Sequence, residues 1–210
     1  LEPGKSENMD LSVTFLQNHL GLFSVGYFEK NIKNLIYSSG RRYISDPSEH
    51  GLPEGTHKYY IQNYTSNNSY AVKLSGFEFD FQTRFWYLPR ALSGFVLNAN
   101  YTITDSEVRY PRTIIEFDID WGPPLTTTTT NIDTFYVDRL IDQPDEIINV
   151  SLGYDYKGFS GRLSMLYKSN VFMRTDFWRE LRQSTDDYRR WDLSMKMDLP
   201  VDGLEVFLNV

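Results

Sequence analysis

Residues 74–104 read LSGFEFDFQTRFWYLPRALSGFVLNANYTIT. Taking every second residue, Phe77, Phe79, Phe81, Thr83, Phe85 and Tyr87 fall on one side, and Glu78, Asp80, Gln82, Arg84 and Trp86 on the other. A strict two-residue period is the mark of a strand with one apolar and one polar face. After Pro89 and Gly94 the chain returns as a second alternating run. Phe95, Leu97, Ala99, Tyr101 and Ile103 oppose Asn98, Asn100, Thr102 and Thr104. The two runs predict an antiparallel hairpin. In a soluble sandwich such a polar face meets bulk water. In a membrane barrel it meets a wet lumen while the apolar face meets lipid. Periodicity alone leaves both open.

The same pattern recurs on either side. Strands are expected over 10–16 and 22–30, the latter able to run on to Tyr37. A third hairpin spans 148–156 and 159–168 around Lys157-Gly158, and a fourth runs from Trp191 to Met197 and from Leu204 to Leu208. Eight strands are then joined by connections that alternate short and long. The long ones fall at about 38–68, 111–146 and 171–190, all on one side. Long irregular loops are uncommon in compact soluble domains, whereas short turns at one end and long loops at the other are the plan of a transmembrane barrel. The run 77–87 also has roughly the 9–11 residues that a tilted spanning strand needs. Tyr87, Tyr154 and Tyr156 flank short turns, and Tyr27, Tyr101, Tyr167 and Trp191 lie toward the long loops, where interfacial girdles belong.

Composition narrows the classes. The 210 residues are 40% hydrophobic and 16% aromatic, with mean hydropathy −0.45, a net charge of −7 and no cysteine. No run approaches the ~18 apolar residues of a membrane helix, so only a barrel could span a bilayer. The lack of cysteine excludes a disulfide scaffold and a thiolate metal site. The acidic balance argues against nucleic acid as a partner. No signal peptide opens the sequence, and Leu1-Glu2-Pro3-Gly4 reads as a cut within a longer one.

The motifs in order are LEPGKSENMDLS, GFEFDFQTRFWYLP followed by GFVLNANYTITDSE, GFSGRLSMLYKSN and GLEVFLNV. In their spacing they resemble the barrel of TonB-dependent receptors, above all the Bacteroidetes-type relatives. The resemblance covers nearly all strands and turns but not the long loops. It implies an all-β, antiparallel transmembrane β-barrel segment, in which residues 1–210 form eight consecutive up-and-down strands of a larger barrel in the bacterial outer membrane. It further implies a plug domain and a TonB-engaging N-terminal segment outside these residues, and a closing strand still to come. The implied function is active uptake of a metal chelate, vitamin or glycan. Partners are then the remaining barrel strands, the plug, the TonB complex and outer-membrane lipid, with a surface lipoprotein as a further candidate. A passive porin-like barrel and a soluble all-β ligand-binding module are the alternatives.

Candidate site residues follow from parity. Arg84, Arg162, Asp80 and Lys196 fall on the polar face and would line a substrate path. Most polar-face charges read as a self-compensating wall, but guanidinium forks suit carboxylate or phosphate groups. In the long loops Trp121, Trp178 and Tyr43 could stack on rings of a ligand, and His50 and His57 could touch a chelate. Segment 111–146 carries eight acids against Arg112 and Arg139, a net of −6, yet lacks the spacing of a calcium loop, so it reads as solvated charge. Thr126–Thr130 reads as a flexible low-complexity run. No catalytic motif and no cofactor site stand out, so the chain reads as a non-enzyme.

Overall fold

In the computed structural model, residues 1–39, 42–44, 59–61, 64–176, 178–201 and 203–210 are described. In chain order the strands are β1 (Lys5–Gln17), β2 (Gly21–Lys33), β3 (Ile36–Ser39), β4 (Arg42–Ile44), β5 (Tyr59–Ile61), β6 (Tyr64–Asn67), β7 (Val72–Arg84), β8 (Phe95–Asp120), β9 (Thr126–Asp138), β10 (Glu146–Tyr156), β11 (Phe159–Lys168), β12 (Phe172–Arg174), β13 (Gln183–Ser184), β14 (Tyr188–Asp198) and β15 (Glu205–Asn209). The main sheet runs β1-β2-β7-β8-β10-β11-β14-β15, antiparallel throughout, with β9 added on β8. These are the eight expected strands in the expected order, in a sheet that does not close on itself.

Register confirms the assigned parity. Phe15, Phe23, Phe81, Ala99, Val150, Met165 and Trp191 stand directly opposite one another from strand to strand. One step along, Leu97, Leu152, Leu163 and Leu193 form a parallel row. The other face carries rows such as Gln82, Asn98, Ser151, Ser164 and Asp192. Among the described residues nothing covers the apolar face: Phe23, Phe77, Leu152, Leu163 and Trp191 are all exposed. A continuous apolar surface of this kind meets lipid rather than water. β10, 11 residues long, climbs about 25 Å at ~3.3 Å per residue and a tilt near 40°, the height of a bilayer's apolar band.

Aromatic rings mark both rims of that band. At the short-turn end Tyr154 packs on Phe95 (4.8 Å between centroids) and Phe159 (6.0 Å). There too Tyr87 lies in the turn that follows β7 rather than on the strand, against Trp86 and His19. At the other rim Tyr27, Tyr101 and Tyr167 donate hydrogen bonds to Glu29, Glu146 and Asp187, at 3.2, 3.1 and 3.2 Å. Each ring thus stays in the apolar band while its hydroxyl reaches a charged layer.

Above that rim the alternation changes phase. In β7 the apolar positions shift from Phe77, Phe79 and Phe81 to Leu74 and Val72. In β2 they shift to Phe28 and Ile32, and in β8 to Val108 and Tyr110. The outward positions there become Glu29, Lys33, Lys73, Asp105, Glu107 and Arg109. All three switches coincide in register near Phe28, Gly76 and Thr104. Gly76 is needed at this row, because a Cβ would lie 2.3 Å from the Ile103 carbonyl oxygen and 2.5 Å from the Phe28 ring. Below the row the sheet is apolar outside, and above it apolar inside, as expected where lipid gives way to water.

The inside-apolar end builds the one buried core among the described residues: Tyr37, Val72, Leu74, Val108, Tyr110, Tyr136, Leu140 and Phe172. It draws one element from each of the three long connections. The structure corrects the reading of those connections as loops. β8 continues to Asp120, and β9 pairs with it from Val108↔Asp138 to Asp120↔Thr126. The acidic segment is therefore largely a β-hairpin, and Thr126–Thr130, expected to be flexible, is strand. β-branched threonine favours that conformation. The other two connections hold the short pairs β3·β6, β4·β5 and β12·β13.

β1 and β15 each present one unpaired edge, with Leu11, Val13 and Val206 exposed. Open edges and a large bare apolar face recruit other chains in water. Without detergent, the 210 residues alone are expected to associate. Size-exclusion chromatography giving a monodisperse monomer with a cooperative melt would overturn the membrane reading and restore a soluble sandwich.

Candidate functional site

The polar wall is the first part of the site. Its strands place a hollow of about 260 Å³ at mid-height, lined by Asp80, Gln82, Asn98, Asn100, Ser151 and Asp192 among others. Amides and hydroxyls dominate, and Ser164 and Ser151 bond each other across strands at 3.0 Å. Asp80 accepts a hydrogen bond from the Gln82 amide at 3.0 Å.

Three ion pairs form within the wall. Arg162 holds Asp155 through both guanidinium nitrogens, Nη1 to Oδ1 at 3.1 Å and Nη2 to Oδ2 at 2.7 Å, and Ser160 donates to the same carboxylate at 2.6 Å. The side chain lies across Gly153, where an added Cβ would meet Nη1 at 2.6 Å. Gly153 is thus what lets the guanidinium lie flat on the sheet. Lys196 pairs with Glu205 at 2.7 Å, and Arg190 Nε bonds Asp192 at 2.9 Å. These pairs neutralise part of the wall's charge locally. Arg84, on the same face opposite Val96, makes no side-chain hydrogen bond or ion pair among the described residues. Of the four polar-face candidates, then, Arg162 and Lys196 are engaged by neighbours, Asp80 by an amide, and Arg84 by no hydrogen-bonded or ionic side chain among the described residues.

The second part is the outer end. Tyr110 lies at its centre, fully buried, with Tyr37, Tyr136 and Phe172 at centroid distances of 5.4, 5.7 and 5.7 Å. Its hydroxyl donates to the Arg139 carbonyl at 3.0 Å and accepts from Ile141 N–H at 3.1 Å. Burial pushes this phenol well above its ordinary range, so it remains a neutral donor. Arg139 ties the segment after β9 to the next connection, bonding Asp145 at 2.7 Å and both the carbonyl and the side chain of Asn170. Arg182 pairs with Asp138. The second and third connections are therefore bonded to each other, and the described part of the first packs on the same aromatic cluster through Tyr37.

Trp121 sits at the tip of the β8–β9 hairpin and is 80% exposed, beside a turn in which Gly122 N–H bonds Asp120 at 3.0 Å. Trp178 lies far from it in chain and lines a groove of about 390 Å³ with Arg112, Ile115, Phe117, Arg179 and Glu180. Tyr43 is in β4 opposite Tyr60 in the backbone register, its side chain outside the described set. His50 and His57 lie outside the described residues. Sequence reasoning missed both the Tyr110 cluster and the groove around Arg112. The phase switch of VKLSGFEF was the legible signal for the cluster, and nothing local marks the groove, whose two sides lie more than sixty residues apart.

A family model described as TonB dependent receptor-like, beta-barrel matches residues 1–210. No curated protein and no solved structure matches the chain.

Proposed function

Because the chain belongs to the TonB-dependent receptor-like β-barrel family, we propose that it forms the wall and outer cap of a transporter taking up a metal chelate, vitamin or glycan. Proteins of this family are outer-membrane receptors of Gram-negative bacteria, and the full receptor carries a plug and engages TonB. The observation that supports a transport role best is the division of labour along the sheet. Its lower part is lipid-facing outside and amide- and hydroxyl-lined inside, and its upper part carries a buried core drawn from the described parts of the long connections. A wall of paired charges and neutral amides holds a ligand or a plug by many weak bonds and releases it again. Arg84, unpaired at the short-turn end, is the proposed contact for a carboxylate of the plug or of a passing ligand. Trp121, Trp178 and Tyr43, with His50 and His57, are proposed as outer contacts, and a surface lipoprotein as a further partner. Uptake of labelled substrate by cells carrying the whole receptor tests the reading. Active transport requires uptake to stop when the proton gradient is collapsed or TonB is removed. Uptake that persists under both treatments, with steady ion conductance in planar bilayers, would instead identify a passive pore.

A further inference from the structure

Three side-chain amides of the polar wall stand without partners. Asn98 and Asn100 are successive inward positions of β8, and Asn149 of β10 lies directly opposite Asn100. None of the three side chains is hydrogen-bonded among the described residues, although each amide brings both donors and an acceptor. All three line the hollow at mid-height. On the other side of β8, Asp80 faces Asn100 and Glu78 faces Thr102 in register. Asp80 accepts the Gln82 amide and Glu78 accepts nothing, so neither carboxylate has a bonded cation among the described residues. Asp192, also at the hollow, is paired with Arg190. No aromatic residue among those described lines the hollow.

We propose that this part of the wall binds an extended peptide carrying basic residues. Asn98 and Asn100 lie about 6.7 Å apart, two residues along a strand, and an extended chain turns the N–H and C=O of alternate residues to one side at the same repeat. Each asparagine then accepts one peptide N–H and donates to the C=O of the same residue. A chain lying edge-on along β8 sends its side chains alternately toward β7 and β10. Toward β7 they meet Asp80 and Glu78, which suit lysine or arginine. Toward β10 they meet Asn149 and Ser151, which suit small polar groups. A flat ring finds no stacking partner at the hollow, and an anionic chelate meets the Asp80 charge. The proposal goes beyond the cargo classes named above, and rests on the uptake reading only for the peptide's passage. The binding itself stands independently of transport.

The test is fluorescence anisotropy of a labelled, end-capped tetrapeptide that alternates lysine with serine, against the whole receptor in detergent micelles with no energy source. Saturable binding is expected. It should weaken about tenfold in Asn98→Ala and in Asn100→Ala, the scale of one to two neutral hydrogen bonds. Methylating the peptide's backbone nitrogens should weaken it at least as much with the receptor unchanged. Asp80→Asn should weaken the lysine peptide while leaving an alternating glutamine–serine peptide unaffected. The asparagines have no partner to lose, and an unchanged elution profile checks folding. No saturable binding to the parent receptor, as when its plug already holds these amides, overturns the proposal. So does equal binding by the parent and by the receptor carrying both asparagine substitutions, or tighter binding of a glutamate–serine peptide. Loss of peptide binding beside gradient-dependent uptake of another cargo sinks this site alone. Peptide binding beside uptake that needs neither gradient nor TonB sinks the transport reading alone.

Discussion

Arginine in place of Phe81 or Leu152 is expected to cost the complete barrel about 2–4 kcal/mol of folding stability in lipid, the penalty for this charge at a bilayer midplane. Both residues lie in rows between the two aromatic rims, and Leu152 is 43% exposed with only neighbouring strand residues beside it. A guanidinium there has no counter-ion on the apolar face and must either reach the rim or draw water inward. Ser151→Arg places the same charge on the opposite face, next to the Ser151–Ser164 bond and the polar hollow. It should be the milder change, costing the hydrogen bond and some crowding. Reversible unfolding of the full barrel in short-chain lipid vesicles ranks the three. If Ser151→Arg proved the most damaging, the assignment of lipid and lumen faces would be inverted.

The strands were readable because their alternation is nearly unbroken from Phe77 to Thr83 and from Phe95 to Ile103, and a one-residue slip would bring every polar side chain to the lipid face. Faces and hairpins therefore followed from the pattern, and the structure adds the register, with Phe81 opposite Ala99 and Leu152 opposite Leu163. The outer end was harder for a physical reason. There the requirement for burial reverses, so the same strands continue with their phase changed, and a reader following one phase sees the pattern dissolve into loop. In 114–120 the strand signal was present as Ile115, Phe117 and Ile119 alternating with Glu116, Asp118 and Asp120, but the dense charge suggested solvated chain instead. The polar-wall candidates show the opposite limit. Parity put Arg162 and Asp155 on one face, yet only coordinates show that Gly153 leaves space for the two to pair.

Phe172→Ala should loosen all three outer connections at once, although it removes a side chain from only one of them. Phe172 is 1% exposed and sits edge-on to Tyr110, and its backbone carbonyl accepts from Asp142 N–H at 2.8 Å. Emptying such a site costs about 3–5 kcal/mol through lost contacts and the cavity left behind. Tyr110→Phe keeps the ring but strips the hydroxyl that satisfies Ile141 N–H and the Arg139 carbonyl, so about 1–3 kcal/mol is expected. Neither change touches the lipid-facing rows, and the barrel should remain inserted with its lower strands protected. Hydrogen exchange on the full receptor separates the outcomes. If the cap is one cooperative unit, exchange rises together in β3, β9 and β12 for Phe172→Ala, and less for Tyr110→Phe, while β10 and β11 hold. A rise confined to β12 would mean that the three connections open independently and that the aromatic cluster is only a local contact. The cooperative outcome is expected because Tyr110 touches Tyr37, Tyr136 and Phe172 at once, leaving no connection a core of its own among the described residues.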